Sequence, residues 1–385
     1  MWIKAVLTAA ALAVGLGGSM AAPAACTTST ITAVAPASAD GYTAMLQAKN
    51  DMTWSGSDQM TSLRLPSGRV YWFAGDTMLS NGEAADGSYP AGSTMIGNRI
   101  LLQAGDQLVN AMANNGMGIP NPATRTTANN ERYWALNGIW ANGFLYVSAA
   151  RVKNDDAGGF VGVGTDLAKY TVDPLSGRLT LRAMVTTPST AVQTGPGAAH
   201  IQWGADMIAA ADGYTYVYGS TNAENNPYVL NYSYVARVPT SQIELASAWR
   251  FWKKTTGTWV QTVGALSQDN VNQPDAILGS GVSDAAVIGG KWTLVHKPWN
   301  AWGSEVLMET SASPTGPSTS RKLFDSPSGT WEGRNYQTYT PAMHPEATLA
   351  SGKLLVSICW NGADFWQDTM KNADLAKPRF YEVTR

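Results

Sequence analysis

The chain has 385 residues, 44% of them hydrophobic and 14% charged, with a formal net charge of −2. That near-neutral balance, without any Lys/Arg block, argues against a nucleic-acid partner, and the length and apolar content leave ample core. Its 38 glycines and 15 tryptophans, with little helix-period patterning, point to many short strands joined by tight turns.

The N-terminus reads as a targeting segment. Lys4 precedes an apolar run from Ala5 to Leu16, followed by small residues and Ala22-Pro23-Ala24, an A-x-A cleavage pattern. The run is too short to span a bilayer stably. Residues 1–25 are therefore expected to be a secretory signal peptide and 26–41 a flexible leader rich in Thr, Ala, Ser and Pro. Cys26 after Ala24-Ala25 hints at lipid anchoring, but Pro23 stands where such signals carry an aliphatic residue. Secretion is the expectation, with a free, packed Cys359 as the other cysteine. Next, Tyr42 to Ala48 is read as a strand closing the fold.

A pattern then recurs along the chain: an acidic residue, an apolar stretch, a Gly-centred turn and an alternating aromatic and β-branched run. The first copy is S-D-Q-M-T-S-L-R-L-P-S-G-R-V-Y-W-F-A-G-D-T, with Asp58, Gly68 and Asp76. The others carry Asn137 and Gly143, Asp206 and Gly213, Asp284 and Gly290, and Glu346 and Gly352. Each copy reads as a β-hairpin. Copies begin about 60–80 residues apart, room for one four-stranded unit each, which predicts an all-β, single-domain, five-bladed propeller over residues 42–385. The first strand of each blade lines the channel, so the recurring acidic position is expected to form a ring at one mouth. Leu63, Ile208, Val287 and Leu349 are then expected to pack between blades.

The first hairpin, together with M-H-P-E-A-T-L-A-S-G-K-L-L-V-S-I-C-W-N near the C-terminus, resembles the five-bladed propeller glycoside hydrolases. Within that group it is most similar to a family of secreted actinobacterial proteins, long of unknown function, that includes endo-D-arabinofuranases acting on cell-wall arabinan. The resemblance covers the mature chain but is specific only at the first and last hairpins. It implies a polysaccharide partner of arabinan or arabinogalactan type and places Asp58 at the base or nucleophile position.

Glycoside hydrolysis uses two carboxyl groups flanking the scissile bond. Asp58 is one candidate, an Asx cap being its structural alternative. Glu346 is the candidate acid, beside His344, which would orient it or accept a structural hydrogen bond instead. Asp206 is a third carboxylate that would tune the acid. Asp284 and Asp76 are candidate sugar-binding groups, each with turn chemistry as the alternative. Trp54, Trp140 and Trp203 lie near ring positions and Trp299 and Trp302 flank the loop after the fourth blade; Trp54 and Trp203 are the candidate stacking platforms. His200 and His296 have no visible partner.

No G-x-S-x-G, H-E-x-x-H or G-x-x-x-x-G-K motif occurs. Asn154-Asp155-Asp156 has oxygen ligands of the kind calcium takes, but a short acidic loop is ordinarily solvated, so no metal or cofactor is assigned. The protein is expected to act as a monomer. A glycan-binding propeller without catalysis and an adhesion propeller without a sugar site are the alternatives.

Overall fold

The computed structural model describes residues 34–113, 116–154, 160–189, 201–223, 226–261, 277–298 and 303–385, with side chains described everywhere in these except 221–231 and 365–366. The signal peptide, Cys26, Asp155, Asp156, His200, Trp299 and Trp302 lie outside the described residues. Among the described residues, no helix is long and apolar enough to cross a membrane.

Residues Ala39–Ala48 form helix α1 rather than the expected strand. Ser38 caps it by accepting from the Gly41 N–H at 3.1 Å, and Asp40 occupies the first turn. Tyr42, Met45 and Leu46, spaced i, i+3, i+4, form its buried face. Periodicity of 3.6 therefore wins over the strand reading.

The rest is β-structure. The first hairpin comprises β1 (Gly56–Ser57), β2 (Met60–Arg64), β3 (Val70–Ala74) and β4 (Thr77–Leu79), followed by β5 (Thr94–Ile96), β6 (Arg99–Ala104) and β7 (Gln107–Asn110). A second sheet holds β8 (Arg132–Ala141), β9 (Phe144–Asn154), β10 (Phe160–Val172) and β11 (Leu179–Thr186). A third runs through β12 (Ile201–Ala209), β13 (Tyr214–Ala223), β14 (Asn226–Pro239), β15 (Arg250–Lys253) and β16 (Thr258–Val260). The fourth contains β17 (Val282–Ile288), β18 (Lys291–His296), β19 (Glu305–Ser311) and β20 (Thr319–Asp325). After a small ribbon of β21 (Thr330–Trp331) and β22 (Arg334–Asn335), the last sheet consists of β23 (Gln337–His344), β24 (Leu354–Asn361) and β25 (Arg379–Val383).

Every one of these larger sheets is an antiparallel meander in chain order, the first running β2-β3-β6-β7 with β1-β4-β5 as a separate extension. Gly68, Gly143, Gly213, Gly290 and Gly352 all take positive φ at the turns of the leading hairpins, the conformation that glycine allows without a Cβ clash. The leading strands touch in sequence, β2 with β8, β8 with β12, β12 with β17 and β17 with β23, and β23 touches β2 again.

The core is divided between successive sheets. One cluster joins the first and second sheets through Tyr71, Phe73, Tyr133 and Leu145. Others join the second to the third, the third to the fourth and the fourth to the fifth. The remaining junction packs Trp54, Trp72 and Leu101 against Leu349, Leu355 and Phe380, with α1 over it. The last sheet has three strands, and α1 lies against its edge strand β25, covering a row of backbone groups that would otherwise stay open. Val287, expected between sheets, is instead 47% exposed.

Tyr42 is buried and its ring lies 5.6 Å from Phe380 and 6.1 Å from Trp72. Tyr42→Ala is expected to lower unfolding stability by about 3 kcal/mol through the cavity it leaves, read as a reduced midpoint in urea. An unchanged midpoint would show that α1 does not help close the junction.

Candidate active site

Asp58 stands where the first hairpin interrupts its ladder. Strands β1 and β2 form one bent strand broken at Asp58 and Gln59; β3 and β4 form its partner, broken at Gly75 and Asp76. The Asp58 N–H donates to the Asp76 carbonyl at 2.9 Å, and the Gly75 N–H donates to the Asp58 carbonyl at 2.8 Å. Asp58 thus bonds to both Asp76 and Gly75, and the ladder breaks locally for two residues on each strand without a change of register. A Cβ at Gly75 would lie 3.0 Å from the Asp58 carbonyl oxygen, which explains the glycine before Asp76. Gln59 is held at φ 52°, a region that non-glycine residues rarely occupy.

The Asp58 side chain is half-buried. Tyr339, early in β23, donates its hydroxyl to Asp58 Oδ1. Burial first, and then the neighbouring Asp76 carboxylate, pushes Asp58 up to about 7, against the opposing pull of the Tyr339 bond and the Arg132 charge. Asp76 is buried and faces Arg132, whose Nε lies 3.3 Å from its Oδ1. Burial raises Asp76 as well, while Arg132 acts against the rise. The Arg132 guanidinium is itself held over the Phe160 ring at 4.7 Å and bonded to Asn154 Oδ1 at 3.2 Å.

Glu346 lies elsewhere. It follows the end of β23, and its carboxylate accepts from Ser62 Oγ, while its carbonyl accepts from Arg64 Nη2 at 2.8 Å. Asp58 precedes β2, whereas Ser62 and Arg64 are its third and last residues. Glu346 is therefore held at Ser62, four residues further along the leading strand than Asp58. The two carboxyls have separate partners, Tyr339 for Asp58 and Ser62 for Glu346. Glu346 is also pushed up to about 7 by burial, with Asp284 adding to the rise. His344 is fully buried beside Trp72 and meets Glu346 only through Ser62, whose Oγ is 2.5 Å from its Nδ1. Burial drives that imidazole down to about 3, so it is neutral.

Asn137, Asp206 and Asp284 do converge, at bulges midway along β8, β12 and β17. The Asn137 amide donates to Asp206 Oδ1 at 2.5 Å and to Asp284 Oδ1 at 3.0 Å. Asp206 also accepts from the Ala285 N–H, and Asp284 from the Met343 N–H at 2.6 Å. Each carboxylate thus satisfies backbone on the following sheet. Both are buried, and desolvation raises both: Asp284 to about 6 against the opposing pull of its hydrogen bonds, and Asp206 well above its ordinary value with the Asp284 charge adding to the rise.

Trp54 and Trp203 are fully buried, so neither offers a ring face to a sugar. Trp54 packs in the first junction and donates to Ser57 Oγ at 3.1 Å; Trp203 lies 5.2 Å from Phe251. His296 is buried against Glu309, with Nε2 3.3 Å from Oε1. Cys359 is a free buried thiol pushed up to about 12 by desolvation. No cluster of metal-ligating residues occurs among the described residues.

Sequence reading missed Tyr339, Arg132 and Ser62. Arg132 opens an alternating strand with a cation, a usable signal; Tyr339 and Ser62 acquire partners only where distant sheets meet.

Meander sheets arranged in a cycle of contacts, with interrupted leading strands and Asp58, Asp206 and Asp284 at three of the interruptions, characterise this fold. The chain belongs to the family described as Domain of unknown function (DUF5005), whose model matches residues 40–385. No curated protein matches it. Among solved structures it is similar to a candidate hydrolase from Bacteroides ovatus, at 22% identity and a TM-score of 0.69 over 89% of this chain and 88% of that one, which shows a shared fold. It is also similar to a GH43_1 enzyme from Xanthomonas citri (13% identity, TM-score 0.47, covering 90% and 93%). A further similar structure is CoXyl43, a GH43 beta-xylosidase/alpha-arabinofuranosidase from a compost microbial metagenome (12%, 0.47, 86% and 92%).

The raised carboxyls carry a pH signature. Asp58 and Glu346 keep protons in the folded state that the unfolded chain releases above about pH 4. Their contribution to stability is present below that pH and is lost as pH rises through about 7. Asp58→Asn and Glu346→Gln should therefore each raise the melting temperature relative to wild type more at pH 8 than at pH 5. Thermal melts at both pH values check this, and equal differences at the two would refute it.

Proposed function

We propose that this chain is an exported glycoside hydrolase of five-bladed propeller architecture that cleaves a furanose-containing cell-wall polysaccharide, D-arabinan first. The observation that carries the reading is the Asp58–Asp76 pair at the ladder break of the first hairpin. Asp76 is the carboxylate whose charge raises Asp58. A pair of acidic groups in unequal surroundings is what proton transfer to a glycosidic oxygen requires. Asp58, half-buried and poised near neutrality, is the proton-exchanging member. Asp76, facing Arg132, is the charged member.

This pairing replaces that of Asp58 with Glu346, because Asp76 acts on Asp58 while Glu346 is bonded to Ser62, four residues further along the leading strand. Asp206 and Asp284 are assigned to inter-sheet bonding, because their oxygens already serve backbone N–H groups and Asn137. The cyclic contacts of the leading strands and the cores between successive sheets support five blades. Export rests on the Lys4 to Ala24 segment, and the furanose substrate on the resemblance of the first and last hairpins.

Purified protein incubated with arabinan, arabinogalactan and xylan panels should release sugar from the arabinan type, followed by chromatography of the products. Asp58→Asn and Asp76→Asn should each lower kcat/KM by about a thousandfold, the scale of a lost acid–base partner, while Glu346→Gln keeps most activity. Binding without hydrolysis by wild type would make the protein a glycan-binding module. Loss of activity in Glu346→Gln with retention in Asp76→Asn would return the second role to Glu346.

A further inference from the structure

A chain of hydrogen bonds leads away from Asp58 into the last sheet. Tyr339 Oη donates to Asp58 Oδ1 and accepts from Asn361 Nδ2 at 3.0 Å. Asn361 Oδ1 in turn accepts from Thr369 Oγ1 at 2.7 Å, and the same Thr369 oxygen accepts from the Gly362 N–H at 3.1 Å. Thr369 ends a π-helical turn, Phe365–Thr369, capped by Asp364, whose side chain accepts from the Gln367 N–H. Such turns are rare and gather at functional sites. Asp368, in the same turn, is buried and paired with Arg334.

The bonds of this chain run in one sense, from Thr369 through Asn361 and Tyr339 to Asp58. Thr369 donates to Asn361, so the Asn361 oxygen faces Thr369 and its NH2 faces Tyr339. A phenol has a single proton. With its oxygen already accepting from Asn361, Tyr339 places that proton on Asp58. Both ends of the contact sit on strained backbone: Gln59 beside Asp58 has φ 52°, and Thr340 beside Tyr339 has φ 46°. Strain of this kind, in a β-branched residue above all, persists only where surrounding structure holds it.

We infer that Tyr339, fixed by Asn361 and Thr369, is the positioning residue for Asp58: it occupies Oδ1 with a permanent hydrogen bond, leaving Oδ2 as the oxygen that exchanges a proton with substrate. The inference rests on the glycosidase reading for the reaction itself, but not for the hydrogen-bond geometry. Burial raises the proton affinity of Asp58 most, and three groups act on it besides. Asp76 raises it further, while Tyr339 and Arg132 lower it; the Asp58 charge in turn reaches the buried Cys359 thiol. Removing the Tyr339 hydroxyl takes away one of the two stabilisers of the carboxylate and frees Oδ1 to take the proton in a nonproductive place.

The test is Tyr339→Phe, with Thr369→Val as a variant that leaves the phenol in place and loosens its support. The titration of Asp58 is followed by carboxyl carbon NMR on protein labelled at aspartate, assigned with Asp58→Asn. Tyr339→Phe is expected to raise the Asp58 titration midpoint by about one pH unit, and Thr369→Val by less. In the pH profile of kcat/KM on arabinan, the matching limb moves by the same amount, with kcat falling more than KM rises. An unmoved Asp58 midpoint in folded Tyr339→Phe overturns the inference whether or not the protein hydrolyses arabinan. A shifted midpoint in a protein inactive on every glycan upholds the positioning of Asp58 and refutes the glycosidase reading alone.

Discussion

Each leading strand of this protein breaks its ladder partway, and the groups released there are bonded by a neighbouring sheet. Asp206 receives the Ala285 N–H, Asp284 receives the Met343 N–H, and Ser148 Oγ donates to the Gly204 carbonyl at 2.6 Å. Thr61 reaches the Leu136 carbonyl, and Tyr339 reaches Asp58. An unpaired buried backbone group costs as much as a lost hydrogen bond. Each sheet therefore needs its neighbour, and the polar interior becomes a circuit of bonds running from sheet to sheet. The apolar clusters follow the same logic, filling the junctions between sheets rather than one common centre.

The circuit has an electrostatic consequence. Desolvation makes charge expensive, so the carboxyls inside it have raised proton affinity. His344 pulls the other way. Its imidazole remains neutral down to about pH 3, while the unfolded chain binds that proton below its ordinary value near 6.5. Stability that depends on it is therefore lost as pH falls from about 6.5 toward 3. Raised carboxyls penalise alkaline conditions and a depressed histidine penalises acid ones. Together they favour a stability maximum in mildly acidic solution. The same raised affinity at Asp58 suits proton exchange, so this arrangement exchanges some stability for reactivity.

How far the fold was legible varies along the chain. Hairpin turns at Gly68, Gly143, Gly213, Gly290 and Gly352 were legible because positive φ demands glycine there. Helix α1 was legible in principle from Tyr42, Met45 and Leu46, but a ten-residue segment next to a strand-rich chain invites the wrong period. Asp58 and Asp76 were both marked by the first hairpin, yet their partnership was not, since it depends on a local break in the ladder at which Asp58 bonds to both Asp76 and Gly75. Trp54 and Trp203 show the reverse: an aromatic beside a carboxylate in sequence says nothing about which way the ring points.

What the amino-acid sequence determined by itself is local: which segments turn, which alternate, and where a carboxyl, or the Asn137 amide in its place, recurs ahead of each turn. Those features depend on backbone sterics and on the two-residue period of a strand, which act over a few residues. Tertiary structure alone decided which of the recurring carboxyls became equivalent. A bulge shifts a side chain by one residue along its strand, and Asp206 and Asp284 therefore meet in the interior. Asp58 sits with Tyr339 and Asp76, and Glu346 binds Ser62 several residues away. Contacts between residues about 280 positions apart, such as Asp58 with Tyr339, form only when the last sheet packs against the first.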